Sequence, residues 1–189
     1  YERVLDLKLR VLTLLHDLFL TRHLESGTHR AVEYVRFVER EGAELTKFAV
    51  YCALDAHFRT DVDRSVPWQR WPRAYRSPDS AAVTEFQRAH KREVEFHRYV
   101  QFELDRQLAF AADQARASGL AIGLFQDLAI GVSSKGGDVW ANPGLFVTGA
   151  SLGAPPDDYA KHGQNWELPP LNPLQRFFKR VPFKQSFSP

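Results

Sequence analysis

The feature that most constrains the fold is a change of pattern at Gly119. Up to Ser118 apolar residues recur at helical spacing. Beyond the glycine comes Leu120-Ala121-Ile122-Gly123-Leu124-Phe125, a continuous apolar run ending at Gln126-Asp127. A run of that kind, without polar alternation, suits a strand covered on both faces, as in a parallel sheet. A helix followed by such a strand, with a carboxylate at its C-terminal end, is the arrangement of a (β/α) barrel whose active face lies there. The expected fold class is α/β, a partial (β/α)8 TIM barrel with a largely helical N-terminal subdomain and long ordered loops.

The helical pattern breaks at identifiable residues. Val4, Val11, Leu15 and Leu18 mark a first helix, with Leu5, Leu12 and Phe19 beside them. Leu7, Leu9 and Val11 alternate and would also allow a short strand, but the length of the pattern favours the helix. Gly27 ends it, and Thr28 is placed to cap a second helix with the stripe Ala31, Tyr34, Val35 and Val38. Gly42 interrupts again before a stripe of Leu45, Phe48, Cys52 and Ala56. Residues 60–79, with Trp68 and Trp71, read as an aromatic-rich irregular connection. Ser77-Pro78 then offers an N-cap and a first-turn proline. The pattern to Ser118 puts Val83, Phe86, Val94, Leu104, Leu108, Ala111 and Ala115 inward, with a break expected near His90, and Gly119 is a C-terminal stop. From Gly131 to Pro173 glycine and proline recur, so a long ordered loop region with little regular structure is expected. The implied division is 1–118 helical, 119–173 barrel strand and active-site loops, and 174–189 a basic, aromatic tail.

Composition narrows the function. The 189 residues are 44% hydrophobic and 25% charged, which excludes disordered and collagen-like chains. A net charge of +2 without a clustered basic excess argues against a nucleic-acid partner. Cys52 is the single cysteine, so no intrachain disulfide forms and a cytoplasmic location is expected. No apolar run is long and uncharged enough to span a bilayer, and no signal peptide opens the chain. The chain lacks methionine and opens Tyr1-Glu2-Arg3 in a helical pattern, which predicts a piece of a longer polypeptide. Its seven histidines have no spacing suited to a metal site, and Gly136-Gly137 is not a phosphate cradle, since no Lys-Ser/Thr follows at the required place.

The informative block is IGLFQDLAIGVSSKGGDVWANPGLFVTGASLGAPPDDYAKHGQNWELPP, from Ile122 to Pro170. With the segment from Trp71-Pro72 to Gln107, it resembles the bacterial 4-α-glucanotransferases, the amylomaltases of glycoside hydrolase family 77. Sequences of that family carry a strand ending in Gln-Asp-Leu-Ala or Gly-Asp-Leu-Pro. Asp-Val-Trp, Asn-Pro, Gly-Ala-Pro-Pro-Asp and Gly-Gln-x-Trp-Gly then follow in this order. The resemblance runs from about the first helix to Pro173.

It implies transfer of α-1,4-glucan segments between maltooligosaccharides through a covalent glucosyl-enzyme intermediate, with neither metal nor organic cofactor, because two carboxylates do both the acid-base and the nucleophilic work. A glucan site needs flat apolar surface for pyranose faces and bidentate polar groups for neighbouring hydroxyls. Trp166 and Gln164, two residues apart in a glycine-flanked loop, offer both, and the resemblance puts them in subsites flanking the scissile bond; the alternative is that Trp166 only staples the loop to the domain. Asp157, rigidly presented after Pro155-Pro156, would bond a sugar hydroxyl; the alternative is a turn aspartate holding its own backbone, the role expected of Asp158. The resemblance gives Asp127 a supporting place at the site's edge. Asp138 and Trp140 are expected to brace the loop, Trp140 as core and Asp138 by capping or by bridging to backbone. Trp68 and Trp71 could form a further sugar platform or pack beneath their connection.

The bond-breaking groups are missing. Retaining transfer needs a nucleophile and an acid/base about 5–5.5 Å apart, and the family's nucleophile lies in an Arg-x-Asp-His element. Arg59-Thr60-Asp61 is followed by valine, so the catalytic set here is empty and the isolated chain is expected to be inactive. One departure concerns the backbone: where the family has Trp-Gly, this chain has Trp166-Glu167, and glycine takes positive φ freely whereas glutamate rarely does. An incomplete barrel would expose sheet edges and promote self-association. Two other functions fit the residues less well: a non-catalytic α-glucan-binding module, and a small hydrolase using Asp127 with Asp138 or Asp157.

Overall fold

The computed structural model describes residues 2–59, 65–125, 127 and 129–174. The expected strand-end residue Gln126, the Arg59-Thr60-Asp61 element beyond Arg59, and the basic, aromatic tail from Gln175 onward lie outside the described residues. The chain divides into two compact units, Tyr1–Leu128 and Ala129–Pro189.

The first unit is helical. α1 (Glu2–Phe19) runs into a π-helical turn, Leu20–Leu24; α2 (His29–Phe58) follows, then two short 3₁₀ turns, Trp68–Arg70 and Arg73–Tyr75. α3 (Ala81–Ala89) and α4 (Lys91–Ala117) complete it. The breaks fall at Gly42, which kinks α2 at φ 60°, at His90 (φ −112°) between α3 and α4, and at Gly119. At Gly119 the α4 end closes with Leu120 N–H donating to Ala115 O and Gly119 N–H to Arg116 O, the double bond of a glycine-terminated helix. Two caps differ from expectation. Thr28 sits at the N-cap of α2, but its hydroxyl bonds His23 Nδ1 at 3.0 Å. Ser80, not Ser77, caps α3, its Oγ accepting the Val83 N–H; a turn through Pro78 and Asp79 precedes it.

α2 packs chiefly on α4 around a core of Phe19, Tyr34, Phe37, Leu45, Tyr99 and Phe102. The rings meet at 5.0–5.3 Å for Phe19–Tyr99, Phe19–Tyr34 and Tyr34–Phe102, where each pair adds about 0.5–1.5 kcal/mol beyond area burial. Polar groups fix the helix register: Tyr34 donates to Glu95, Arg30 pairs with Glu103, and Arg98 reaches Thr46 at 3.0 Å.

Several inward positions differ from the sequence reading. The second half of α2 buries Ala49, Val50, Ala53 and Leu54 beside Leu45, leaving Phe48 and Ala56 exposed; in the first half Val35 is exposed and Phe37 buried. In α4, Tyr99 and Phe102 face inward while Leu104, Leu108 and Ala111 are exposed. The inward face is decided by which residues can meet the aromatic cluster, which a period alone does not specify. The α1 stripe Val4, Val11, Leu15 and Leu18 is exposed, and α1 contributes His16 and Phe19 to the interior instead. Trp71 is buried under its connection, stacking near Tyr51 and Phe58 and donating Nε1–H to Val66 O at 2.8 Å, so it is no open sugar platform.

The run Leu120–Phe125 is not a strand. It is extended or bent backbone, with Ile122 and Phe125 each 88% exposed. A strand is held by hydrogen bonds to a neighbour, and among the described residues none pairs with this segment. The architecture shown is therefore mostly helical with little sheet.

The second unit contains α5 (Gly137–Ala141) and an antiparallel pair, β1 (Leu152–Ala154) with β2 (Gln164–Leu168). The region read as loop thus holds a hairpin. Its register pairs Leu152 with Leu168, Gly153 with Asn165 and Ala154 with Gln164, with a bulge after Leu152. The close approach requires glycine: a Cβ at Gly153 would fall 2.0 Å from Gln164 O. Phe146 and Leu171 form a further antiparallel bridge beside the hairpin.

Candidate glucan-binding site

Residues two apart on a strand share a face, and β2 uses this to put Gln164 beside Trp166. The indole Nε1–H donates to Gln164 Oε1 at 3.0 Å. That bond leaves the amide NH2 of Gln164 as a donor beside an indole that keeps 38% of its surface open. An apolar plate with an adjacent orientated amide can cover a pyranose face and bond one hydroxyl at its rim.

The opposite face of β2 is structural. Asn165 Oδ1 accepts from Ser151 Oγ at 2.6 Å and from the Glu167 N–H at 2.9 Å. Strand alternation could have singled out Asn165 as the anchor of this face; the sequence reading passed over it, as it did Ser151 and Gly153. Directly after Trp166, Glu167 adopts φ 56°, the left-handed conformation, at the position where the resembling family carries glycine. The Asn165 bond to its N–H holds it there.

The segment joining β1 to β2 is ordered from within. Asp157 Oδ1 accepts the N–H groups of Tyr159 (2.9 Å) and Ala160 (2.6 Å), so Asp157 performs the turn role expected of Asp158. Asp157 is nevertheless exposed, and a carboxylate has a second oxygen with which to accept. Gly163 closes the turn at φ +71°, where a Cβ would lie 2.7 Å from Ala154 O. Gln164, Trp166 and Asp157 therefore belong to one hairpin.

Trp140 is 1% exposed between buried Val139 and Ala141 and anchors the second unit. Asp138 lies in the first turn of α5 with an exposed side chain, and its backbone carbonyl accepts from Asn142 N–H (3.2 Å) and Nδ2–H (3.1 Å). Asp127 is exposed and belongs to the first unit. Among the described residues no group of three or more His, Cys, Asp or Glu side chains is placed to hold a metal ion, and no helix is long and apolar enough to cross a membrane. Burial pushes the Cys52 thiol up to about 12, a poor nucleophile's value.

Residues 1–177 match the family described as 4-alpha-glucanotransferase. The 4-alpha-glucanotransferase of Mycobacterium tuberculosis is 39% identical over 154 residues, covering 82% of this chain and 20% of the relative. That of Haemophilus influenzae is 30% identical over 177 residues, 92% of this chain and 25% of the relative. The crystal structure of amylomaltase from Corynebacterium glutamicum superposes with a TM-score of 0.67 at 33% identity, covering 89% of this chain and 20% of that one. Amylomaltase from Streptococcus agalactiae in complex with acarbose gives 0.66 at 25% identity, over 77% and 30%. The chain belongs to the 4-alpha-glucanotransferase family and spans about a fifth to a quarter of the length of these curated relatives.

Proposed function

We propose that this chain contributes part of the glucan groove of a 4-alpha-glucanotransferase, which moves α-1,4-linked segments between maltooligosaccharides. The observation that carries the reading is the exposed Gln164–Trp166 pair on β2, joined at 3.0 Å. Asp157 adds a carboxylate from the same hairpin, with Asp138, Trp140 and Asp127 in supporting places. In the whole reaction a carboxylate attacks the anomeric carbon while an acid protonates the departing glycosidic oxygen. The resulting glucosyl ester is then opened by the 4-hydroxyl of an acceptor, so configuration is retained. No cofactor enters such a step. This chain's share is to bind and orient sugar rings.

In this reading Leu120–Phe125 becomes a strand of a partial barrel once a neighbouring strand pairs with it. The division 1–118, 119–173 and 174–189 follows the same logic. The exposed apolar surface of α1 and of Leu120–Phe125 supports self-association of the isolated chain. The single Cys52 fits a reducing cytoplasm.

Two assays on the 189-residue chain test the proposal. Calorimetry with maltoheptaose should show binding that Trp166→Ala removes. Incubation with maltotriose should leave the trisaccharide unchanged, because neither bond-breaking group is identified in the chain. Binding indifferent to Trp166→Ala defeats the site, and disproportionation of maltotriose defeats the division of labour. Binding that Trp166→Ala removes but Asp127→Asn leaves intact favours a self-contained glucan-binding module.

A further inference from the structure

The cleft between α1 and α4 is lined by side chains that the hairpin site does not use. It encloses about 390 Å3, within the range of small-molecule sites of about 300–1,000 Å3. Part of its lining is apolar: Leu12, Leu15 and Leu18 follow one face of α1 at a spacing of three. Leu15 and Leu18 keep 45% and 46% of their surface open, apolar area that nothing among the described residues covers.

The charged part of the lining is mainly cationic, beside the rings of Phe19 and Tyr99. Arg22, Arg30 and Arg106 enter the cleft against one carboxylate, Glu103. Glu103 is 7% exposed and already engaged by Arg30 and by Arg106, the latter at 3.0 Å. One carboxylate cannot neutralise three guanidiniums, so the cleft carries excess positive charge beside its leucine face. Arg30 Nε is buried without a hydrogen-bond partner, and Arg22 makes no ion pair among the described residues.

We propose that this cleft binds a small anionic amphiphile, a carboxylate of medium chain length. Its head would lie on Arg22 and Arg106 and its aliphatic tail along Leu12, Leu15 and Leu18. Each half of the ligand answers one half of the lining. Guanidinium groups take carboxylate oxygens in paired hydrogen bonds, and each methylene laid against the leucines raises affinity about fourfold. An inorganic anion would leave the leucines bare, and a neutral chain would leave the cations unanswered.

The test is calorimetry on the 189-residue chain at about 50 mM salt, low enough that exposed charges are incompletely screened. The probes are octanoate, hexanoate, octanol and inorganic phosphate. Octanoate should bind one per chain, hexanoate about fifteenfold more weakly, and octanol and phosphate at least tenfold more weakly than octanoate. Arg22→Gln, at an exposed position, should weaken octanoate about tenfold while leaving octanol unchanged. Leu15→Glu, also at an open position, should abolish octanoate binding with the helical circular dichroism intact. The proposal is overturned if octanoate does not bind, if octanol or phosphate binds as well, or if neither substitution alters its affinity.

Discussion

Glu167 provides a prediction in which the sign of the effect is the test. At φ 56° its Cβ is held in the left-handed region, which costs a residue with a side chain about 1–2 kcal/mol relative to glycine. Glycine returns part of that gain, about 0.5–1 kcal/mol, through the extra freedom of its unfolded chain. Glu167→Gly should therefore stabilise the protein by about 0.5–1 kcal/mol, whereas Glu167→Ala keeps the strain and should be near neutral. Asn165 Oδ1 accepts from the main-chain N–H of residue 167, so that bond survives in both variants. In an ordinary extended strand the order reverses, with alanine above glycine by about 0.5–1 kcal/mol. Thermal unfolding followed by near-ultraviolet circular dichroism reads the difference, at about 2–4 °C per kcal/mol for a chain of this size. A Glu167→Ala variant that melts at or above Glu167→Gly would refute the argument that this position is strained.

Three further outcomes follow from the packing. Gly153→Ala places a Cβ 2.0 Å from Gln164 O, so the hairpin should open and maltoheptaose affinity drop at least tenfold. Its far-ultraviolet helical signal should persist, since the long helices lie in the first unit. Phe102→Ala, at the centre of the aromatic core, should cost about 3–5 kcal/mol in urea unfolding. Burial holds His97 down at about 4 against 6.5 and also lowers His16. The unfolded chain then binds more protons in that interval, so stability is full above about pH 6.5 and is lost as pH falls toward 4. The slope is at most about 1.4 kcal/mol per pH unit for each group. His97→Leu should flatten this dependence, as measured by denaturant midpoints from pH 7 to 4.

The helix breaks at Gly42, His90 and Gly119 were legible because they depend on local backbone preference. The buried face was not, because it depends on contacts distant in sequence: Phe102 is inward since Phe19, Tyr34 and Phe37 meet there. Leu120–Phe125 misled for the same reason, since an apolar run says that a segment seeks cover but does not supply the strand that would pair with it. The β1–β2 hairpin was hidden among glycines, two of which, Gly153 and Gly163, are what allow its backbones to approach. Gln164 and Trp166 stood out in the motif as residues of one loop, but their bond to each other depends on a strand, whose alternation puts both on one face. Asp157 was less so, because proline-flanked aspartates serve turns and ligands with the same side chain, and here one oxygen is committed to the turn.

The central claim concerns the indole of Trp166, and indole N–H resonances of the 15N-labelled chain report on it individually. Titration with maltoheptaose should move or broaden the Trp166 signal while leaving those of the buried Trp71 and Trp140 in place. A Trp166 resonance unchanged at saturating oligosaccharide, or a response confined to the buried tryptophans, would contradict the account.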